Sequence, residues 1–384
     1  MERLVLLGAS GSIGTQTLSI LKNATNDFEL VGFSVGKRTR NISYLIKKYP
    51  TIKGVCVASK DKCKVYQKRF PSIKFFYGDQ GLLDLIDYSN PTMVENALVG
   101  FVGLVPTIHA LKKNLKVALA NKEALVVGGE LVNDLLAKGH GKLYPIDSEH
   151  SALWKCLKVD DQNVDKMIIT ASGGAFRKLS RDELTNVTAK DALAHPTWKM
   201  GAKITIDCAT MVNKSFEIIE AHYLFNYPSD KIEVLLHEES HIHSMLRYCD
   251  GTYRAEISKP DMRNPIRFAI YLGEIPFKTY TSDDYHKFGS YHFHDFDMKR
   301  YPIVRYASKV INEKGTYGAV FNASNEEAVY EFLKGNIPFL AIEEIISTLM
   351  DKHQNKVHPT INDLIKVDQE TRSEVHKMIK EGRY

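Results

Sequence analysis

The chain has 384 residues, enough for two or three domains at roughly 100–200 residues each and for a sizeable buried core. Its 44% hydrophobic and 25% charged content is that of a soluble globular protein, and a net charge of +5 without any basic tail argues against nucleic acid and suits a small anionic substrate or cofactor. Five cysteines, odd in number and without a Cys-x-x-Cys pair, point to reduced thiols in a cytoplasmic protein and away from structural zinc; the apolar run ending at Leu7 is too short for a signal-peptide core, and no run of about 18 apolar residues offers a membrane span.

Leu4-Val5-Leu6-Leu7 reads as a strand, Gly8-Ala9-Ser10-Gly11-Ser12-Ile13-Gly14 as a glycine turn, and Thr15 to Leu21 as a helix. That order is the context a dinucleotide fingerprint requires, because glycines admit a pyrophosphate to the backbone and the helix N-terminus meets it with free N–H groups. Alone, the Gly-x-x-Gly-x-x-Gly spacing fits a plain tight turn equally well. The second strand, Glu29 to Val35, ends in Gly36-Lys37-Arg38-Thr39-Arg40. An NAD site places an acid there for the ribose 2′-hydroxyl; basic groups suit the 2′-phosphate of NADP.

Strand-like runs recur at Val55–Val57, Phe75–Tyr77, Met93–Val94 and Val117–Ala120, with helical segments between them, so an α/β fold with a parallel sheet is expected. The Lys-rich segment 61–69 reads as a solvated helix face. Ligands in such sheets bind beyond the carboxyl ends of strands. Three polar clusters fall at such ends: Asn121-Lys122-Glu123, Asp147-Ser148-Glu149-His150 and Ser172-Gly173-Gly174. In extended backbone Asp147 and Glu149 share a face, and two such acids need a cation or a proton between them. Oxygen-only ligands suit Mg2+ or Mn2+ better than Zn2+.

His195-Pro196-Thr197-Trp198-Lys199-Met200-Gly201 reads as a loop, with Trp198 as a packing anchor or a lid. Residues 209–222 read as one helix that carries Asn213, Lys214 and Glu217 on a shared face. Such a face could hold a phosphate with the first two and a metal with the third, or be a surface ion pair. His237-Glu238-Glu239-Ser240-His241 has the His-Glu-x-x-His form of a zinc peptidase helix. Its flanks, however, are strand-like, with a hairpin signal at Asp250-Gly251, and a strand would hold the two histidines ~13 Å apart at ~3.3 Å per residue. Four helical segments follow from Tyr301, and residues 278–299, rich in Asp, Tyr and His, read as a linker.

Taken together, these motifs resemble the 1-deoxy-D-xylulose 5-phosphate reductoisomerase family. The resemblance runs along nearly the whole chain and is carried by the glycine turn, Ala118–Glu123, Pro145–Ala152, Ser172–Phe176, His195–Gly201, Met211–Lys214 and Ile242–Met245, in the family's order. It implies an NADPH- and Mg2+- or Mn2+-dependent isomerisation and reduction of 1-deoxy-D-xylulose 5-phosphate to 2-C-methyl-D-erythritol 4-phosphate. By the same resemblance, Ser10, Gly11, Ser12, Ile13, Gly36, Lys37, Arg38, Asn121, Glu123 and Gly201 hold NADPH, and Asp147, Glu149 and Glu217 hold the metal. Ser172, Asn213 and Lys214 grip the substrate phosphate; Lys122, Ser148, Glu149 and His195 line the reacting carbons; Trp198 sits on a mobile lid.

The implied layout is a Rossmann-like NADPH-binding domain over 1–146, a central catalytic and dimerisation domain over 147–277, a linker over 278–300 and a C-terminal α-helical domain over 301–384, in a cytoplasmic homodimer. Three residues depart from the family pattern. Cys208 stands where the family has a phosphate-binding Ser, Ala175 where it has Pro, and Ser215 where it has Gly. A thiol is a weaker donor than a hydroxyl, which loosens or rearranges the grip on phosphate. The rivals are a zinc peptidase on His237, Glu238 and His241, and a non-catalytic NADP-binding regulator.

Overall fold

Alternating apolar runs and amphipathic segments become a parallel sheet with crossover helices in the computed structural model, which describes residues 1–274 and 289–384. In chain order the first elements are β1 (Glu2–Leu7), α1 (Ser12–Leu21), β2 (Phe28–Val35), α2 (Ile42–Lys48), β3 (Gly54–Val57), α3 (Lys60–Arg69), β4 (Lys74–Tyr77) and α4 (Gly78–Ser89). They continue with β5 (Met93–Asn96), α5 (Leu104–Lys112), β6 (Lys116–Leu119), α6 (Glu123–Ala137) and β7 (Lys142–Pro145). All seven strands pair in parallel in the order β4-β3-β2-β1-β5-β6-β7. The order reverses direction at β1, so β1 and β5 flank the switch point where such sheets bind ligands. Leu4, Leu6, Leu30, Phe33 and Ala118 fill the core, as expected of strands covered on both faces. On α3 no residue is buried, in keeping with a solvated helix.

The remaining elements are α7 (Ser148–Val159), β8 (Val164–Ala171), α8 (Ala189–Ala192), α9 (Ala202–Thr210), α10 (Val212–Phe225), β9 (Ile232–Leu236), β10 (Ile242–Tyr248), β11 (Tyr253–Ile257), α11 (Arg263–Ile270), β12 (His294–Asp295), α12 (Arg305–Glu313), α13 (Tyr317–Lys334), α14 (Phe339–Lys352) and α15 (Ile361–Lys380). A second, mixed sheet has the order β11-β10-β8-β9-β12, with only β8 and β9 parallel.

The chain divides into two compact units. The first comprises Met1–Ala124, Leu131–Asp147 and a return segment starting at Met262, whose helix α11 adds Ile266, Ala269 and Ile270 to the core of the parallel sheet. The second comprises Leu125–Glu130, Ser148–Asp261 and the C-terminal helices. Within it, α13 packs against α14 and α15, and the half-buried Arg372 of α15 pairs with Asp368 and with Glu326 and Glu327 of α13.

Two local expectations are corrected. The backbone after β7 is not extended: a helix begins at Ser148, so Glu149 lies in its first turn, where the helix dipole favours a carboxylate. Residues 209–222 do not form one helix, because Met211 adopts a left-handed conformation (φ 66°) that separates α9 from α10. Of the stretch read as a linker, residues 278–288 lie outside the described residues, and His294–Asp295 join β9 as an antiparallel strand.

Candidate active site

The glycine turn is built for close approach. A side chain at Gly14 would come within 2.4 Å of the Gly8 carbonyl oxygen, so only glycine lets α1 pack onto β1 at this point. Ser34 on β2 pins the turn, its hydroxyl accepting from Gly8 N–H at 2.9 Å and its carbonyl from Ala9 N–H at 2.8 Å. No side chain caps the N-terminus of α1 and no acid lies in its first turn, which leaves Ser10, Gly11, Ser12 and Ile13 suited to an anionic ligand. Beyond β2, Gly36, Lys37 and Arg38 are exposed.

At the end of β6, Asn121 is a clasp. Its buried amide donates to the carbonyls of Leu98 and Gly100 at 3.1 and 3.0 Å and to Glu123 at 2.9 Å, which fixes the loop after β5. Next to it, Lys122 pairs with Asp147 at 2.7 Å, with both side chains largely out of water. Two of the three polar strand ends read from the sequence therefore meet within the first unit.

The second unit gathers the other acids. Lys214 on α10 is buried, and its ammonium group meets the Glu149 carboxylate at 3.0 Å, the Thr170 carbonyl at 2.5 Å and the Glu217 carboxylate. Burial works against the Lys214 charge, but Glu149 and Glu217 more than offset it and raise its pKa above the ordinary lysine value. Asn213 donates to Glu217 at 2.5 Å, and Ser148 donates to Glu149 at 2.5 Å. His150, fully buried, contacts the Glu217 carbonyl through Nε2 at 2.9 Å and so joins α7 to α10. Two carboxylates converging on one positive charge form a donor set that fits a hard divalent cation.

Ser172, just past β8, lies 3.1 Å from His195 Nε2. The other ring nitrogen of His195 accepts from the backbone N–H groups of Thr197 (3.2 Å) and Trp198 (3.0 Å), so the proton resides on Nε2 and points at the Ser172 hydroxyl. Burial, helped by the nearby Arg177 charge, lowers the His195 pKa to about 4 and keeps the ring neutral. His195 thus ties the Ser172 loop to the turn that carries Trp198, whose indole lies 6.0 Å from the His243 ring. The Ser172 loop also packs on α9. Gly174 has φ +69°, and a side chain there would come within 2.6 Å of the Cys208 carbonyl oxygen. Ser172 and Cys208 are therefore drawn to one place, while Gly201 is exposed at the start of α9. The supporting roles of Thr170 and Arg177 carry no sequence signal, because each depends on which strand end or helix lies opposite.

The zinc reading fails for a reason other than distance. Residues 237–241 form a turn rather than a strand, so the two histidines are close. His237 Nε2 accepts from the backbone N–H groups of His241 and Ile242 at 3.3 and 3.1 Å, and its Nδ1 faces the His292 carbonyl at 3.0 Å and Glu239 at 3.1 Å. Both ring nitrogens are committed to holding this turn.

Strand, glycine turn and uncapped helix, with a basic tip on the second strand, make this an NADP-dependent oxidoreductase with a doubly wound sheet. Family models described as 1-deoxy-D-xylulose 5-phosphate reductoisomerase match residues 4–129, its C-terminal domain 143–225, and a further DXP reductoisomerase C-terminal domain 257–374. The chain belongs to the 1-deoxy-D-xylulose 5-phosphate reductoisomerase family. It is 43% identical to the Geobacillus kaustophilus protein of that name, over 99% of this chain and 100% of the relative. Among solved structures, it matches the Zymomonas mobilis reductoisomerase in complex with NADPH at 33% identity and a TM-score of 0.90, covering 98% of this chain and 99% of the other. It matches a DOX-P reductoisomerase in complex with NADPH, fosmidomycin and magnesium at 30% identity and a TM-score of 0.92, covering 99% and 98%.

Proposed function

We propose that this chain catalyses the NADPH- and divalent-metal-dependent isomerisation and reduction of 1-deoxy-D-xylulose 5-phosphate to 2-C-methyl-D-erythritol 4-phosphate, a step of non-mevalonate isoprenoid synthesis. The observation that carries the reading is the convergence of Glu149 and Glu217 on the Lys214 ammonium, with Asn213 alongside. Support comes from family relatives solved with NADPH, magnesium and fosmidomycin.

Asp147, Glu149 and Glu217 are the proposed metal ligands. Asp147 is two residues from Glu149, so their Cα atoms are within about 7 Å of each other. The bound ion supplies Lewis-acid polarisation of the substrate oxygens, and NADPH supplies the hydride. Ser172, Cys208, Asn213 and Lys214 bind the phosphate; with the acids taken up by the ion, the Lys214 ammonium is left to pair with that phosphate. Lys122, held by Asp147, and Ser148, held by Glu149, orient the reacting oxygens and hold protons near them. His195 stays neutral and donates toward the phosphate end through Nε2, and Trp198 covers the substrate and excludes water. Ser10 to Ile13, Gly36 to Arg38, Asn121, Glu123 and Gly201 hold NADPH.

The same reading assigns residues 1–146 to cofactor binding, 147–277 to catalysis and dimer contact, 278–300 to a linker and 301–384 to a helical domain. It describes a cytoplasmic homodimer that uses Mg2+ or Mn2+. Among the described residues, no helix is long and apolar enough to cross a membrane. The test is NADPH oxidation with 1-deoxy-D-xylulose 5-phosphate after chelation and re-addition of Mg2+ or Mn2+. Turnover that returns with the ion is expected; NADPH binding without turnover under either ion rejects the proposal.

A further inference from the structure

Asp207 and Lys203 form a buried ion pair on α9 that none of the proposed ligand contacts uses. Lys203 meets one Asp207 oxygen at 2.8 Å, and the amide of Asn325, from α13, donates to the other at 2.9 Å. Asp207 is 2% exposed, Lys203 7% and Asn325 0%. The Lys203 ammonium also lies 5.1 Å from the centre of the Phe216 ring on α10, and Phe216 meets Phe321 of α13 edge-on at 5.2 Å. Phe321 lies one helical turn before Asn325. The circuit therefore closes through three helices: Asp207 and Lys203 on α9, Phe216 on α10, and Phe321 and Asn325 on α13.

A buried ion pair is weak evidence of stability, because apolar residues of similar volume often serve as well; its best-attested use is to fix one packing register. The register at stake is specific. Cys208 follows Asp207 directly, Phe216 lies between Lys214 and Glu217, and the left-handed Met211 is the joint between the two helices. Sliding or turning α9 against α10 would move Cys208 relative to Asn213 and Lys214.

We infer that Asp207 and Asn325 are positioning residues through which the C-terminal helix α13 sets the spacing of the phosphate-binding groups on α9 and α10. The inference rests on the proposed reading of those groups. Neither residue touches substrate; both act through the helices they lock together.

Asn325→Ala removes one hydrogen bond to a buried carboxylate, so the KM for 1-deoxy-D-xylulose 5-phosphate should rise about tenfold, with kcat and the KM for NADPH within about twofold of the parent. The exchange variant Asp207→Asn with Asn325→Asp restores an amide–carboxylate pair and should bring the KM back to within about threefold. Asn322→Ala, on the same helix and equally buried, is the control and should leave the KM unchanged. Should Asn325→Ala fail to fold, Asn325→Ser takes its place. An unchanged substrate KM, a parallel rise for both substrates, or an equal rise in Asn322→Ala overturns the inference. A parent enzyme that does not oxidise NADPH with this substrate rejects the functional reading instead.

Discussion

Glu95 lies wholly buried on β5, beside the proposed cofactor helix, and shares a 2.5 Å hydrogen bond with the equally buried Thr17 of α1. The Thr17 hydroxyl has one proton and a second acceptor, the Ile13 carbonyl at 3.2 Å. That proton is donated to the Glu95 carboxyl oxygen, the shorter of the two contacts. Burial raises the Glu95 pKa to about 8, and the Thr17 bond offsets only part of that. Because the folded value lies above the unfolded one, the stability linked to this proton is fully present below pH ~4.5 and is lost as pH rises through about 8. Roughly 3 kcal/mol of this contribution is lost between pH 4.5 and 7. Glu95→Gln, neutral at every pH, should gain stability over the parent on going from pH 5.5 to 8.5. Urea unfolding at the two pH values measures this, and a stability difference that does not change with pH contradicts the assignment.

At the scale of elements, the proposed cofactor contacts are divided between the β2 tip and the start of α1. In the proposed reading, the uncapped α1 terminus takes any dinucleotide pyrophosphate, whereas Lys37 and Arg38 distinguish NADP from NAD. Replacing both with Ala should raise the KM for NADPH by about tenfold or more and leave the KM for NADH nearly unchanged. Steady-state kinetics with each cofactor checks this, and an unaltered preference for NADPH would move the discrimination elsewhere. On α7 the helix start does chemical work of its own. It places Glu149 in the first turn, where the dipole favours the charged carboxylate, and His150 where it reaches the Glu217 carbonyl.

For the whole molecule, the proposed metal ligands come from two stretches of chain some seventy residues apart, whereas the proposed NADPH contacts lie mostly on the first unit. Glu217→Gln keeps the shape and removes one charge. Turnover should fall by about 100-fold or more and Mn2+ should bind more weakly, while NADPH affinity holds within about twofold. Mn2+ titration, single-turnover kinetics and NADPH fluorescence measure the three quantities. A variant that binds Mn2+ as tightly as the parent and turns over normally would remove Glu217 from the ligand set. Acid should likewise lower activity, because protons compete with the ion for the carboxylates.

The sequence by itself determined what depends on local order. The parallel sheet follows from apolar runs spaced by helix-length segments, the glycine turn from three glycines between a strand and a helix, and the site candidates from polar residues just past strand ends. The helix break at Met211 was not legible, since nothing in the run through residues 209–222 marks a left-handed residue. Nor was the true setting of Glu149, because Asp-Ser-Glu continues a strand or caps a helix equally well until α10 lies beside it. The His-Glu-x-x-His pattern could be doubted from its flanks, but the commitment of both His237 nitrogens depends on His292, some fifty residues away. The Asp207–Asn325 contact joins residues 118 positions apart in sequence. Hydrogen-bond geometry, the state of buried acids and the register between helices are set by which surfaces meet in three dimensions. Only the tertiary structure decides that.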